Sequence, residues 1–270
     1  MTVNILVAII VGVLCSEVAG HVTSNAHLRE FIRTVPLQSY KGHFFTGSSN
    51  TTDHQKQGFV DSGSLVSFTD KLTGQNKEDV LNGALFSSLA ADYVYNREQQ
   101  TDQWYEYYGN VMEKMGWVIQ NFTFQHYNPG EGTFTIDKVA IDLLAAIASD
   151  EEVVVAKEVL NAMKSLETSD GRVVLFEQRS YSNEAGNFQI MPCNVDDSGQ
   201  LVMRMAAFYF GARKDETRFL FVEWDSNDID IYTSSQIITL DMDVYNIVRD
   251  EVIKRLGDQA KQNIDNIPIA

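Results

Sequence analysis

Hydrophobic residues recur at helical spacing along the first half of the chain, from about residue 60 onwards. Over residues 77–95 they return at every third or fourth position, which predicts an amphipathic helix with one apolar stripe. The same spacing predicts helices over residues 101–115, 136–149 and 151–166. Aromatic residues crowd the second of these helices, and an aromatic stripe at helical spacing is typical of a packed core.

Alternating apolar and polar positions replace the helical spacing in the last hundred residues. They predict strands over residues 172–181, 187–195, 201–210, 217–224 and 229–240, and an earlier strand over residues 116–127. The later connections are too short for a crossover helix, so these strands are expected to be antiparallel neighbours in a meander. The strand over residues 201–210 is apolar on both faces, so helices must cover both sides of the sheet, including a closing helix over residues 241–264.

The patterns divide the chain into three segments. Residues 1–20 contain an apolar run of signal-peptide length, shorter than the roughly 20 apolar residues that span a bilayer, and we predict a cleaved leader. No Lys or Arg precedes Arg29, so an uncleaved membrane-associating helix is the alternative. Residues 21–58 are polar and predict an irregular arm, and residues 59–270 predict a single α+β domain, an antiparallel meander covered by helices. A leader predicts secretion, which in a eukaryotic host would permit N-glycosylation at Asn50 and Asn121.

The charge balance limits the partners of the protein. The chain has 37 acidic and 21 basic residues, a formal net charge of −16. Such a surface repels phosphate backbones and anionic lipid leaflets. We therefore expect no nucleic-acid partner and, at a membrane, only a transient contact through apolar side chains. The sequence does not determine the oligomeric state of the protein.

The chain lacks the common catalytic motifs. The chain contains no Gly-x-Ser-x-Gly, no Gly-x-x-x-x-Gly-Lys-Ser/Thr, no His-Glu-x-x-His and no Cys-x-x-Cys. Four of the five histidines fall in the polar arm, so neither an acid–base site nor a metal site is predicted. A nucleophile–base pair of Cys193 with His126 has no local signature. We therefore predict a protein that is not an enzyme and that has no metal.

Cys193 is the one cysteine outside the leader, so it has no partner for an internal disulfide. A leftover cysteine in an exported protein indicates a reactive thiol, intermolecular pairing or a modification, whereas residue type alone favours a small buried hydrophobe. Both interpretations stay open. Met191 and Val195 alternate with Cys193 on one strand face, and with Met203 and Met205 of the neighbouring strand they are the predicted lining of an apolar ligand pocket.

Three stretches carry a resemblance to known proteins: Gly116-Trp-Val118, the apolar run over residues 137–147, and Gly171-Arg-Val-Val-Leu-Phe-Glu177. They are similar to a small group of uncharacterised microbial and fungal proteins. More distantly, residues 60–265 resemble the family of the Erwinia virulence factor Evf. That resemblance implies an α/β fold and a palmitate held as a thioester on a cysteine of the sheet region. Cys193 is the one residue outside the leader onto which the acylation can be carried.

The resemblance implies a secreted virulence or toxin-like factor that holds a fatty acyl chain. Two other hypotheses stay open. The order of elements, with helices before an antiparallel sheet and a closing helix, is also similar to that of the Cyt-type cytolysins, which implies a pore-forming toxin. The third hypothesis is a secreted carrier that binds a small hydrophobic ligand without a covalent bond.

Overall fold

The computed structural model describes residues 25–40, 50–130, 132–182, 185–213 and 216–269. The leader predicted over residues 1–20 lies outside this part of the chain. Within it, no helix combines the length and the apolar character that crossing a membrane requires.

Helices and strands alternate in blocks along the described chain. The helices are α1 (residues 25–34), α2 (Gly74–Val94), α3 (Thr101–Lys114), α4 (Ile136–Ala145), α5 (Asp150–Ser165), α6 (Gly171–Ser180), α7 (Met242–Leu256) and α8 (Asp258–Asn263). The strands are β1 (Gln57–Asp61), β2 (Ser64–Phe68), β3 (Trp117–Val118), β4 (Gln125–His126), β5 (Thr133–Phe134), β6 (Tyr181–Ser182), β7 (Ala185–Val195), β8 (Leu201–Ala212), β9 (Trp224–Asp225), β10 (Ile229–Leu240) and β11 (Ile264–Ile267).

One large sheet runs through the molecule in the strand order β11-β1-β2-β7-β8-β10-β3, with β4 also paired to β10 and β6 to β7. Strands β7, β8 and β10 are antiparallel neighbours, which confirms the predicted α+β class and, for these three strands, the meander. The prediction of an antiparallel sheet is wrong for the sheet as a whole, which is mixed because β2 runs parallel to β7. Strands β5 and β9 form a separate two-stranded ribbon.

Two apolar cores cover the two faces of the sheet, as the two-sided apolar strands predict. Alternate residues of β8 enter opposite cores: Met203 and Met205 pack under the layer of α2, α3 and α7, whereas Ala206 and Phe208 pack under α4, α5 and α6. Each fully buried large apolar side chain contributes about 1.5–3 kcal/mol, so the two cores hold the helices on the sheet.

The predicted arm is not irregular throughout. Residues 25–34 are helical, and α1 places Ile32 in the core beside α7. The guanidinium of Arg255 in α7 donates to the carbonyls of Ile32 and Val35, 2.7 Å each. The prediction of irregular chain is wrong there because α1 is stabilised by a helix far away in the sequence. The residues after position 56 are also regular, since β1 and β2 form a hairpin.

The strand predicted over residues 172–181 is wrong, because this segment is the helix α6. Val and Phe favour strands on average, but tertiary packing overrides that preference here. Asp170 caps the helix by accepting a hydrogen bond from the Arg172 N–H at 2.9 Å. Val173 and Phe176, three residues apart, then face the same core.

The strand predicted over residues 217–224 is also wrong, except for Trp224 at the start of β9. Arg218 has a φ of 61°, which breaks the extended chain. Its guanidinium donates to the carbonyls of Met163, Lys164 and Leu166 at the end of α5. The segment therefore turns towards α5 and does not add a strand to the sheet.

Two predicted elements are interrupted. The strand predicted over residues 116–127 exists only at its ends, as β3 and β4, and residues 119–124 leave the sheet. The closing helix predicted over residues 241–264 stops at Gly257, whose φ of 48° favours glycine. The chain continues as α8 and then as β11, which pairs with β1.

Candidate functional site

A groove of about 270 Å³ lies between α3 and residues 119–124, and we call it the α3 groove. It exists because β3 and β4 both pair with β10 while the six residues between them do not. The side-chain amide of Gln236 in β10 donates to the carbonyl of Asn121 at 3.2 Å, which fixes this segment at its middle.

The floor of the α3 groove is aromatic and apolar. Phe122 and Phe124, both half-buried, lie with their rings nearly parallel at 6.2 Å. The buried ring of Tyr105 contacts them at 4.7 and 4.8 Å. Ile119 and Gly109 complete the floor, and the absence of a side chain at Gly109 leaves room between the helix and Phe122.

Hydrogen bonds fix the ring of Tyr105. Its hydroxyl accepts from the Gln189 amide at 2.8 Å and donates to the carbonyl of Phe188 at 3.3 Å. Burial raises the pKa of the Tyr105 hydroxyl, so the phenol stays protonated. The floor is therefore anchored to the centre of the sheet.

The rim of the α3 groove is polar and exposed. Asp102, Glu106 and Glu113 project from one side of α3, since spacings of four and seven residues return to the same helix face. The remaining rim residues carry amides: Asn110, Gln120 and Asn121. Lys, Arg and His do not occur in the lining. An apolar floor with a few polar groups at its edge is the usual composition of a small-molecule site.

Sequence reasoning found half of this groove. The interpretation of the α3 aromatics as core is right for Trp104, Tyr105 and Tyr108, which are buried. Phe122 and Phe124 fell in a predicted strand, which hid their position against α3. The available signal was the side of α3 that carries three acidic residues and a glycine: Asp102, Glu106, Gly109 and Glu113.

The structure brings the predicted pocket residues around Cys193 together. Cys193 is directly opposite Met203 in the β7–β8 register, and Val195 is opposite Leu201. Met191, Met203 and Met205 are buried in the same core as Cys193, and Val195 packs partly buried at its margin. They are packed side chains of the core under α2, and the groove described above lies elsewhere.

The thiol of Cys193 has low nucleophilic reactivity in this position. It is free and fully buried, and it lies 3.5 Å from the Met191 carbonyl as a hydrogen-bond donor. Burial, with a smaller contribution from the charge of Glu152, raises the pKa of the Cys193 thiol well above its usual value. The thiolate, which is the nucleophile, is therefore strongly disfavoured.

His126 does not meet Cys193. Strands β8 and β10 lie between β7, which carries the thiol, and β4, which carries the imidazole. The imidazole is half exposed, 3.8 Å from Asp230, and rests against the ring of Tyr232. These two residues therefore do not form a nucleophile–base pair.

The remaining predicted sites fall at the surface. Asn50 and Asn121 are both exposed outside regular structure. Asn121 lies on the rim of the α3 groove, so a glycan there would stand beside the groove mouth. The described residues contain no group of three or more His, Cys, Asp or Glu side chains arranged to hold a metal ion.

Comparison with known proteins finds distant structural similarity alone. No protein-family model matches the chain, and no curated protein matches it. The structure of the Evf virulence factor is similar with a TM-score of 0.35 and 12% identity, covering 87% of this chain and 89% of that one. A delta-endotoxin structure is similar with a TM-score of 0.41 and 11% identity, covering 79% of this chain and 96% of that one. The resemblance stated from the sequence is thus confirmed as a distant one, and at these scores neither structure bears on the activity of this chain.

Proposed function

We propose that this protein is an exported, non-enzymatic binding protein that holds one small apolar ligand in the α3 groove. The observation that carries the proposal is the groove itself, about 270 Å³ with an aromatic floor and a polar rim. Ligand pockets usually measure roughly 300–1,000 Å³. The α3 groove lies just below this range, so it is suited to a small ligand, of one or two rings or a short alkyl chain.

The anchoring of the floor supports the proposal. Tyr105 is fixed by hydrogen bonds to Gln189 and Phe188, and its ring supports Phe122 and Phe124. A floor that is already ordered loses little conformational entropy when a ligand binds, which favours affinity for even a small ligand.

Titration with 3-methylindole, a neutral two-ring compound, tests the proposal. A Gly109→Leu variant is designed to fill the groove. A Cβ at this position would lie 3.8 Å from the Phe122 ring and 3.9 Å from Ile119, which is ordinary contact, so the first side-chain carbon fits without a clash. Leucine also has the higher helix propensity. Gln103→Leu, on the exposed part of α3 outside the groove lining, adds the same side chain where no ligand should be affected.

We expect calorimetry to show that 3-methylindole binds to the unchanged protein and to the Gln103→Leu variant. In the Gly109→Leu variant the affinity should fall at least about tenfold, which corresponds to about 1.4 kcal/mol of binding free energy. Circular dichroism and thermal unfolding confirm that both variants are folded. Gly109→Ala is the milder change if the leucine unfolds α3. Absence of binding to the unchanged protein, or equal binding by both leucine variants, would refute the proposal.

A second candidate function is the covalent holding of a fatty acyl chain, palmitate or similar, by Cys193. The observation that favours it is the grouping of Met191, Met203 and Met205 in one core with the thiol. Thioether side chains are flexible and adapt to an alkyl chain. Because the thiol is buried and protonated, the acyl group would have to be added before α2 packs onto the sheet, with the Met side chains rearranged around it.

Intact-protein mass spectrometry of native material tests this second candidate. A mass excess of one acyl group, lost with neutral hydroxylamine and absent from Cys193→Ser, would support it. An unmodified mass would leave Cys193 as a core residue. The same spectrum reports whether residues 1–20 are removed.

Export completes the proposal. The apolar run in residues 1–20 supports export, and the exposed Asn50 and Asn121 are accessible acceptors for glycosylation. Pore formation stays the alternative hypothesis. It requires concentration-dependent dye release from neutral liposomes, whereas a passive binding protein releases no dye.

A further inference from the structure

The charge pattern of the α3 groove narrows the class of its ligand. We infer that the groove selects a protonated amine attached to an apolar body of one or two rings. This inference rests on the function proposed for the groove, and it adds the charge and chemistry of the ligand.

The rim of the α3 groove is negatively charged. Asp102, Glu106 and Glu113 place three carboxylates along the α3 side of the groove, with no basic side chain in the lining. Among the described residues, none of the three makes an ion pair with a Lys, Arg or His of the protein. Their charges are therefore available to a cation in the groove, and an anion there would be repelled.

The aromatic floor of the α3 groove also favours a cation. A cation above the face of an aromatic ring, within about 6 Å of its centre, is attracted by the ring quadrupole. Phe122 and Phe124 present two nearly parallel half-buried rings to the groove. The protein forms this contact elsewhere, with the Arg97 guanidinium 4.4 Å from the centre of Trp104. An apolar cation can therefore use the floor and the rim together, whereas a neutral ligand uses the floor alone.

The charge of the whole molecule acts in the same direction. A formal net charge of −16 attracts cations from solution and repels anions. The long-range attraction is screened by salt over roughly 10 Å at 0.1 M, while the contact with the aromatic floor is screened less. The preference for a cation should therefore fall with added salt without vanishing.

Three indoles that differ in charge test the inference: tryptamine, 3-methylindole and 3-indolepropionic acid. We expect tryptamine to bind about tenfold more tightly than 3-methylindole, from the combined cation–π and ion-pair terms, and 3-indolepropionic acid to bind more weakly than either. Raising NaCl from about 50 to about 500 mM should reduce the advantage of tryptamine by a few-fold.

Variants that remove charge test whether the preference for a cation comes from the rim carboxylates. Asp102→Asn, Glu106→Gln and Glu113→Gln, combined, should bring tryptamine to within about twofold of 3-methylindole. All three side chains are exposed, so the fold should tolerate the changes. Asp258→Asn removes one carboxylate that is 84% exposed in α8, away from the groove, and should leave the preference unchanged. If the triple variant does not fold, the single Glu106→Gln variant should still lower the tryptamine affinity about two- to threefold.

The possible results distinguish a failure of the cation preference from a failure of the proposed binding function. Equal binding of all three indoles would overturn the cation preference and leave the binding function in place. A preference for tryptamine that survives the rim variants would overturn the assignment to Asp102, Glu106 and Glu113. No binding of any indole to the unchanged protein would overturn both proposals.

Discussion

The carboxylate of Asp79 accepts two hydrogen bonds from the guanidinium of Arg249, 2.8 Å from Nε to Oδ1 and 2.7 Å from Nη2 to Oδ2. Asp79 is fully buried in α2, and Arg249 lies in α7. The hydroxyl of Tyr245, one turn earlier in α7, also donates to the Asp79 carbonyl at 3.1 Å. This bidentate ion pair therefore joins α2 to α7, the two helices that lie over the same face of the sheet.

Arg249→Met should lower the free energy of unfolding by about 3–5 kcal/mol, because it leaves a buried carboxylate without its charged partner. Urea denaturation measures the change. Lys261→Met is the control, since it breaks an ion pair with Asp258 whose side chains are 74% and 84% exposed. Exposed pairs contribute about 0–1 kcal/mol. Equal losses in the two variants would contradict the importance of the buried pair.

The buried position of Lys77 should make the free energy of unfolding rise at alkaline pH. Its buried ammonium donates to Gln57 and to the carbonyls of Thr52 and Gln55, and burial lowers its pKa to about 8. In the unfolded chain the pKa is about 10.4, so between these values the unfolded state binds more protons. In a Cys193→Ser background, which removes the opposing ionisation of that thiol in the unfolded chain, the free energy of unfolding should therefore rise from about pH 8 to about pH 10.

Buried tyrosines should end that rise. Burial raises the pKa of Tyr105, Tyr108 and Tyr245, so above about pH 10 the unfolded chain loses protons that the folded chain keeps, and stability falls. Denaturation at a series of pH values measures the profile. Lys77→Met should remove the rise and keep the fall; a rise that persists in this variant would assign it to another group.

Cys193 should resist alkylation in the folded protein. In a Cys15→Ser background, a maleimide should label Cys193 at least about 10³-fold more slowly than in denaturant, because labelling waits for opening of the structure. The control carries Cys15→Ser, Cys193→Ser and Ser198→Cys, which moves the thiol to an exposed turn. Labelling of Cys193 as fast as that control would show that the thiol is accessible and would strengthen the case for acylation of the folded chain.

Two glycines on neighbouring strands should respond differently to alanine. A Cβ on Gly186 would overlap the Phe210 ring, whereas a Cβ on Gly211 would have nothing within 4 Å. Gly186→Ala should lower the free energy of unfolding by about 1–3 kcal/mol, because the ring must move within a packed core. Gly211→Ala should stay within about 0.5 kcal/mol. Similar losses in urea denaturation would mean that the ring of Phe210 moves freely.

The sequence predicted those elements whose periodicity is local and strong. Helices α2 to α5 and strands β7, β8 and β10 lie within a few residues of their predicted positions. It failed where distant contacts decide the conformation. Arg218 turns its segment by binding carbonyls of α5, about fifty residues earlier in the chain, and β11 needs β1 as its partner. No local pattern contains either partner.

The candidate site divides in the same way. The acidic and glycine positions on one side of α3 are visible in the sequence, and so is the pair Phe122 and Phe124. Their meeting depends on which residues of β10 pair with β3 and β4, because that register makes residues 119–124 leave the sheet. Around Cys193 the strand alternation was sufficient, since the residues concerned lie on two adjacent strands joined by a short turn.

The strand order also sets the order in which the molecule can assemble. The β1–β2 hairpin has its partner β7 more than a hundred residues later and its partner β11 about two hundred residues later. Pairings this distant in sequence make folding slow, and they leave apolar strand edges open until the partners arrive. We therefore expect the end of the sheet formed by β11, β1 and β2 to assemble late, once β7 and the last strand have been synthesised.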